Sequence, residues 1–153
     1  MNEIDKPYFE ISDSGNLIRI EPIEIIDYDS NIDWDKNWLK TKFTIKGGEF
    51  SGEYFGDIMT VDFKQFSKEF SLLYDNLNGT ANFHDLEGYL DLKIQGDGLG
   101  HFDVNVTACD QPGIESSELI FKMSFDQTII KNLDFQLELI TKKYPVIGEL
   151  KNR

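Results

Sequence analysis

The chain has 153 residues, 40% of them hydrophobic and 28% charged, with a formal net charge of −13. That balance excludes a disordered chain, and its 12 Phe leave ample bulk for a core. It also argues against nucleic acid and anionic membranes as partners, since both repel a polyanion. No run approaches the ~18 apolar residues of a membrane span.

The charge is uneven. Residues 1–35 hold ten Asp and Glu against Lys6 and Arg19, a net of −8. The opening MNEIDKPYFEISDSGN has neither the basic nor the apolar stretch of an export signal. Cys109 is the only cysteine and has no internal disulfide partner. A cytoplasmic protein is expected.

NLIRIEPIEIID reads as a strand, with Ile18 and Ile20 on one phase and Ile23 and Ile25 on the other. Pro22 between them marks an edge or a bulge. NWLKTKFTIKGGEFSGEYFGDIMT reads as a hairpin turning at Gly47-Gly48. Leu39, Thr41, Phe43 and Ile45 share one face, and the glycines of the return strand mark a bend or a close approach of another element. The period then changes. Phe63, Phe66, Phe70, Leu73, Tyr74 and Leu77 make a helical stripe, with Asp62 and Gln65 as a capping box and Gly79 as the stop.

Three or four strands follow, on a short ANF and on GYLDLKIQG, HFDVNVTAC and ELIFKMSFD, each alternating apolar and polar residues. A second helical stripe runs through Ile130, Leu133, Leu137, Ile140 and Tyr144, ahead of Pro145. The order is roughly β4-α-β4-α. It predicts an α+β fold, an antiparallel β-sheet of about seven to eight strands with two helices packed on it. One domain over residues 1–153 is expected, with an acidic segment 1–35 and a loose tail 146–153. No linker and no internal repeat is evident.

Gly96-Asp97-Gly98-Leu99-Gly100 invites comparison with a phosphate-cradling loop. A dinucleotide fingerprint needs a helix after its last glycine, and a P-loop needs Lys followed by Ser or Thr. Here a strand follows, opening with His101-Phe102, so the stretch reads as a hairpin turn in which Asp97 bonds its own backbone. DYDSNIDWDKNW begins with calcium-loop spacing at Asp27, Asp29 and Asn31 but has Ile32 where Gly is required and Trp38 where Glu is required. His101 and Cys109 lie too far apart on one strand to share a metal. They read as surface residues. No nucleophile elbow is present, and no carboxylate pair stands out, Glu49 with Glu53 and Asp91 with Asp103 reading as solvated sheet charge. No catalytic residue, cofactor or metal is expected.

Four stretches carry a resemblance: GGEFSGEYFGDIMTVDFKQFSKEFSLLYDNLNGTANF, LEGYLDLKIQGDGLGHFDVNV, FKMSFDQTII and LDFQLELITKKYP. In order and spacing they resemble the WapI-type immunity proteins over about residues 38–145. The resemblance implies a non-catalytic cytoplasmic antidote that binds the C-terminal domain of a wall-associated bacterial toxin, in some cases one that cleaves tRNA. Its motifs carry no binding residues over to this chain.

The toxin-contact candidates come from the acidic segment instead. Asp27, Asp29, Asp33 and Asp35 are expected to meet a basic toxin surface, with Tyr28 and Trp34 as aromatic anchors. Two other classes stay open: a structural or adaptor domain, self-association through an exposed sheet face or edge included, and a small-ligand carrier with a pocket between helices and sheet.

Overall fold

The computed structural model describes residues 6–149. The first two strands, β1 (Phe9–Asp13) and β2 (Asn16–Ile25), are followed by a short helix α1 (Asp33–Lys36). Strands β3 (Trp38–Gly47) and β4 (Phe50–Met59) then lead into α2 (Thr60–Asn76). The second half repeats the plan with β5 (Asn78–His84), β6 (Leu90–Asp97), β7 (His101–Cys109), β8 (Glu118–Asp126) and α3 (Gln127–Lys143).

The strands form two four-stranded antiparallel sheets, β1-β2-β3-β4 and β5-β6-β7-β8, and not one sheet of seven to eight. Each strand pairs with its hairpin neighbour, and the ladder breaks where α2 carries the chain from β4 to β5. Alternation along a strand tells which face is buried but not which strands share a ladder. A third helix, α1, also departs from the expected two. The acidic segment holds strand β1 as well, whose Phe9 and Ile11 are buried in a run too short to show a period.

The architecture is thus a ββββα unit used twice, a repeat hidden in the sequence. The buried stripe Phe63, Phe66, Phe70, Leu73 of α2 has its counterpart in Ile130, Leu133, Leu137, Ile140 of α3, at identical spacing. Glu69 and Gln136 stand at matching places beside those stripes. Each reaches the outer edge of the other unit's first strand. Glu69 accepts from the Asn82 amide at 3.1 Å, and Gln136 Oε1 accepts from the Glu10 amide at 2.9 Å. Exposed edge amides are thereby satisfied and closed to other strands.

One continuous core lies between the sheets and helices. Phe66 of α2 meets Phe9 of the first sheet edge-on at 5.3 Å and Phe83 of the second at 5.5 Å, so α2 ties the two units together. Edge-on aromatic pairs of this kind contribute roughly 0.5–1.5 kcal/mol beyond their buried area. Where the sheets meet, Phe43, Tyr54 and Tyr89 stack, and Tyr54 donates its hydroxyl to the Tyr89 carbonyl at 2.7 Å. Burial raises the Tyr54 pKa well above its ordinary value. The return-strand glycines behave as expected at Gly56. A Cβ there would lie 2.6 Å from the Tyr89 ring. Gly47 is likewise covered by Phe121.

Of the edge and the bulge expected at Pro22 the structure has the bulge, a register irregularity between β2 and β3 in an inner strand. Several other local expectations shift. The hairpin turns at Gly48-Glu49, one residue late, because Gly47 pairs with Phe50 and Gly48 takes φ of 62°. No Asp62–Gln65 capping box opens α2, whose start is held instead by the Asn37 carbonyl, accepting from the Thr60 amide at 2.8 Å. The helix stops at the left-handed Leu77, φ 59°, and Gly79 already lies in β5. Asp126 supplies the side-chain cap of α3, accepting from the Thr128 amide at 2.9 Å. Cys109 is buried, not a surface residue.

Candidate functional site

The connection from β2 to β3 carries the acidic and aromatic residues. Its base continues the ladder, the Ile26 amide donating to the Trp38 carbonyl at 3.0 Å. The Ser30 hydroxyl donates to Asp35 at 2.9 Å and accepts from the Ile32 amide, which closes the turn into α1. Asn37, fully buried, anchors the far end. Its amide nitrogen donates to the carbonyls of Asp33 and Ile147, and its side-chain oxygen accepts from the Thr60 hydroxyl and the Ile147 amide. A buried amide with every group partnered fixes its surroundings in one arrangement. The loop, the start of α2 and the segment after α3 are thereby pinned together. Ile147 and Gly148 of the expected loose tail are held here, Gly148 against the Asp33 carboxylate. Residues 150–153 of that tail, and residues 1–5 of the acidic segment, lie outside the described residues.

The six candidate residues lie on one connection, with Asp33, Trp34 and Asp35 in α1, and only Asp27 and Asp35 of them line a common pocket. Tyr28 is 74% exposed and Trp34 42% exposed, and Asp27, Asp29 and Asp33 are exposed beside them. Trp34 meets Trp38 edge-on at 6.2 Å. Asp27 and Asp35 line an open pocket of about 260 Å³ with Ile26 and Trp38. Two acids from elsewhere complete it: Asp57 of β4, and Glu87 of the connection between β5 and β6. Asp33 stands apart, against Gly148. Asp29 and Tyr28 do not line the pocket.

Asp57 and Glu87 are invisible to a reading along the chain. Asp57 stands opposite Lys40 in the β3–β4 ladder and looks like ordinary sheet charge. Glu87 belongs to the L-E-G stretch, whose local role is set by Asp85. That buried carboxylate accepts from the amides of Gly88, Tyr89 and Leu90 at 2.9–3.0 Å and so fixes the loop that presents Glu87.

The pocket gathers carboxylates without a metal-binding geometry. Among the described residues no group of three or more His, Cys, Asp or Glu side chains is placed to hold a metal ion. His84 meets Asp91 at 3.3 Å on the surface, and Asp91 faces Thr107, not Asp103. The glycine loop is the turn between β6 and β7. Asp97 accepts from the Leu99 and His101 amides, which hold its carboxyl below the usual range. No described helix is long and apolar enough to cross a membrane.

Among solved structures the chain is similar to WHY1 from Arabidopsis thaliana, at 15% identity and a TM-score of 0.50, over 94% of this chain and 86% of that one. It is also similar to MRP1/MRP2 from Trypanosoma bruciei, at 11% identity and a TM-score of 0.49, over 92% and 87%. At such identities the likeness concerns the fold alone. The comparison with curated protein sequences gave no match. The sequence model of the Immunity protein WapI-like family matches residues 9–145, which span both ββββα units. The chain belongs to the Immunity protein WapI-like family.

Proposed function

We propose that this protein is a non-catalytic antidote that binds a basic toxin domain and blocks it by occupancy. Family membership supports the antidote role, and the pocket around Trp38 supports the mode of binding. Carboxylates from three separate parts of the chain converge there on an aromatic wall. The space suits a Lys or Arg side chain, with its stem on Trp38 and Ile26 and its charge among Asp27, Asp35, Asp57 and Glu87. Tyr28 and Trp34, exposed on the same loop, are the aromatic anchors around it.

The net charge of −13 draws a basic partner inward, and such steering raises association by roughly ten- to a thousandfold at low salt. The same charge disfavours nucleic acid as the ligand. Where the toxin is a nuclease, its phosphate-binding cleft is the basic surface that an acidic antidote covers. The site of action is then the cytoplasm, where such a toxin works.

The test is rescue. A toxin domain encoded beside this protein is expressed in a sensitive host with and without it, and growth and co-purification are followed. Rescue with a stable pair is expected. An active toxin that neither binds nor is neutralised would refute the pairing.

A further inference from the structure

Strand β4, FSGEYFGDIM, is an outer edge of the first sheet. In a hairpin closed by a two-residue turn, alternate pairs exchange both hydrogen bonds, beginning with the closing pair. Here that pair is Gly47 and Phe50, so Gly52, Tyr54 and Gly56 bond to β3. Ser51, Glu53 and Phe55 then turn their backbone groups outward. The same count on β1, closed by Asp13 and Asn16, turns Glu10 outward, and Glu10 is the residue that Gln136 contacts from outside.

The four outer edges are not treated alike. β1 carries Gln136, and β5 carries Glu69. β8 leans on the first sheet, its Phe121 over Gly47. Among the described residues, none bonds the outward backbone groups of Ser51, Glu53 and Phe55. That half of β4 is exposed, with Phe50 at 72% and Phe55 at 51%.

A groove of about 260 Å³ runs beside this edge, between β4 and the end of the β7–β8 hairpin where the two strands are joined. Buried Ile45 and Ala108 form its floor, and Tyr54 and Leu119 its walls. Exposed Asp110 and Glu118 stand at its rim, and no residue lining it is basic.

We propose that the β4 edge and this groove accept an extended basic segment of a partner protein by strand addition. Backbone pairing with Ser51, Glu53 and Phe55 supplies affinity, and alternate side chains supply selectivity. One Arg or Lys lays its stem on Tyr54 and Leu119 and sets its charge between Asp110 and Glu118. A second copy of the chain fits poorly. Two chains at −13 repel, and no base lines the groove to meet the acids of a second copy, while Glu53 is already paired with Lys42 at 2.6 Å. Naming the toxin domain as the owner of the segment rests on the antidote reading. The edge and groove chemistry does not.

The probe is a short acetylated peptide of alternating arginine and valine, titrated into the full chain and followed by amide NMR. Shifts and slowed hydrogen exchange are expected at Ser51, Glu53 and Phe55. Ser51→Pro and Glu53→Pro each remove an outward amide but leave the β3 ladder intact, and should weaken binding about tenfold. Glu53→Gln keeps the amide and should bind within a few-fold of the native chain. Shifts confined to the Asp27–Asp35 loop, or folded proline variants that bind as tightly as the native chain, would overturn the proposal. So would concentration-dependent pairing of the chain alone that Glu53→Pro abolishes. None of these results depends on a toxin, so failure here and failure of rescue are separate findings.

Discussion

The ring of Tyr89 packs over Gly56, so close that a Cβ there would lie 2.6 Å from it. This contact joins the two sheets where Tyr54 also donates to the Tyr89 carbonyl. Gly56→Ala is therefore expected to destabilise the fold by about 1–3 kcal/mol, the usual cost of overpacking. Gly52, on the same strand with open space at its Cβ position, is the control. Gly52→Ala should change stability by less than about 0.5 kcal/mol. Urea denaturation of both variants checks the pair. Equal effects would contradict the packing assignment.

Asn37 links three parts of the chain through four side-chain hydrogen bonds. Asn37→Ala leaves a buried hydroxyl, an amide and two carbonyls without those bonds. A loss of about 2–4 kcal/mol is expected, since each unsatisfied buried group costs roughly 1–3 kcal/mol and the site relaxes in part. Hydrogen exchange should rise first in α1 and near Ile147. Protection unchanged there would show that the loop is held by something else.

The turn residue Asp97 and the helix cap Asp126 share a pH signature. The Leu99 and His101 amides hold Asp97 below its ordinary pKa, and the Thr128 hydroxyl and amide do the same for Asp126. A folded-state pKa below the unfolded one means fewer protons bound in the native state. The stabilisation is full above the ordinary carboxylate value of ~3.9 and is lost as pH falls through the depressed value. Asp97→Asn and Asp126→Asn should lower Tm near neutral pH, with the gap to the native chain closing in acid. A gap independent of pH would contradict the charge-assisted bonds.

Both tryptophans of the chain, Trp34 and Trp38, stand at the acidic loop. Covering Trp34, 42% exposed in the free chain, should move its emission to shorter wavelength on toxin binding. Trp34→Phe should remove most of that shift, after subtraction of the toxin's own signal. A bound complex with unchanged emission would place the interface elsewhere.

Much of the fold was legible because periodicity reports burial directly. The stripes through Phe63–Leu73 and Ile130–Ile140, and the alternation in β3, β6 and β7, are statements about which faces shun water. Pairing across the chain left no such trace. Nothing in the residues between β4 and β5 announces that the ladder ends there, so two sheets read as one. The duplication was hidden because Phe-rich α2 and Ile/Leu-rich α3 fill equivalent places with different residues. Caps were misread where a tertiary group took the local one's role, as the Asn37 carbonyl does for α2. At the site, Asp27 and Asp35 were found by their local density of charge. Asp57 and Glu87 join them only through the sheet register and the Asp85-bound loop.

The central claim is tested most directly by the affinity for the toxin domain as a function of salt. Asp27→Lys with Glu87→Lys reverses two exposed acids from different parts of the pocket. Asp75→Lys with Glu138→Lys makes the same change in net charge on the exposed faces of α2 and α3. The pocket pair should bind at least about tenfold more weakly, with a shallower salt dependence, and fail to rescue growth. The helix pair should stay within a few-fold of the native chain. If the two pairs weaken binding equally, or neither does, the acidic pocket is not where this protein meets its toxin.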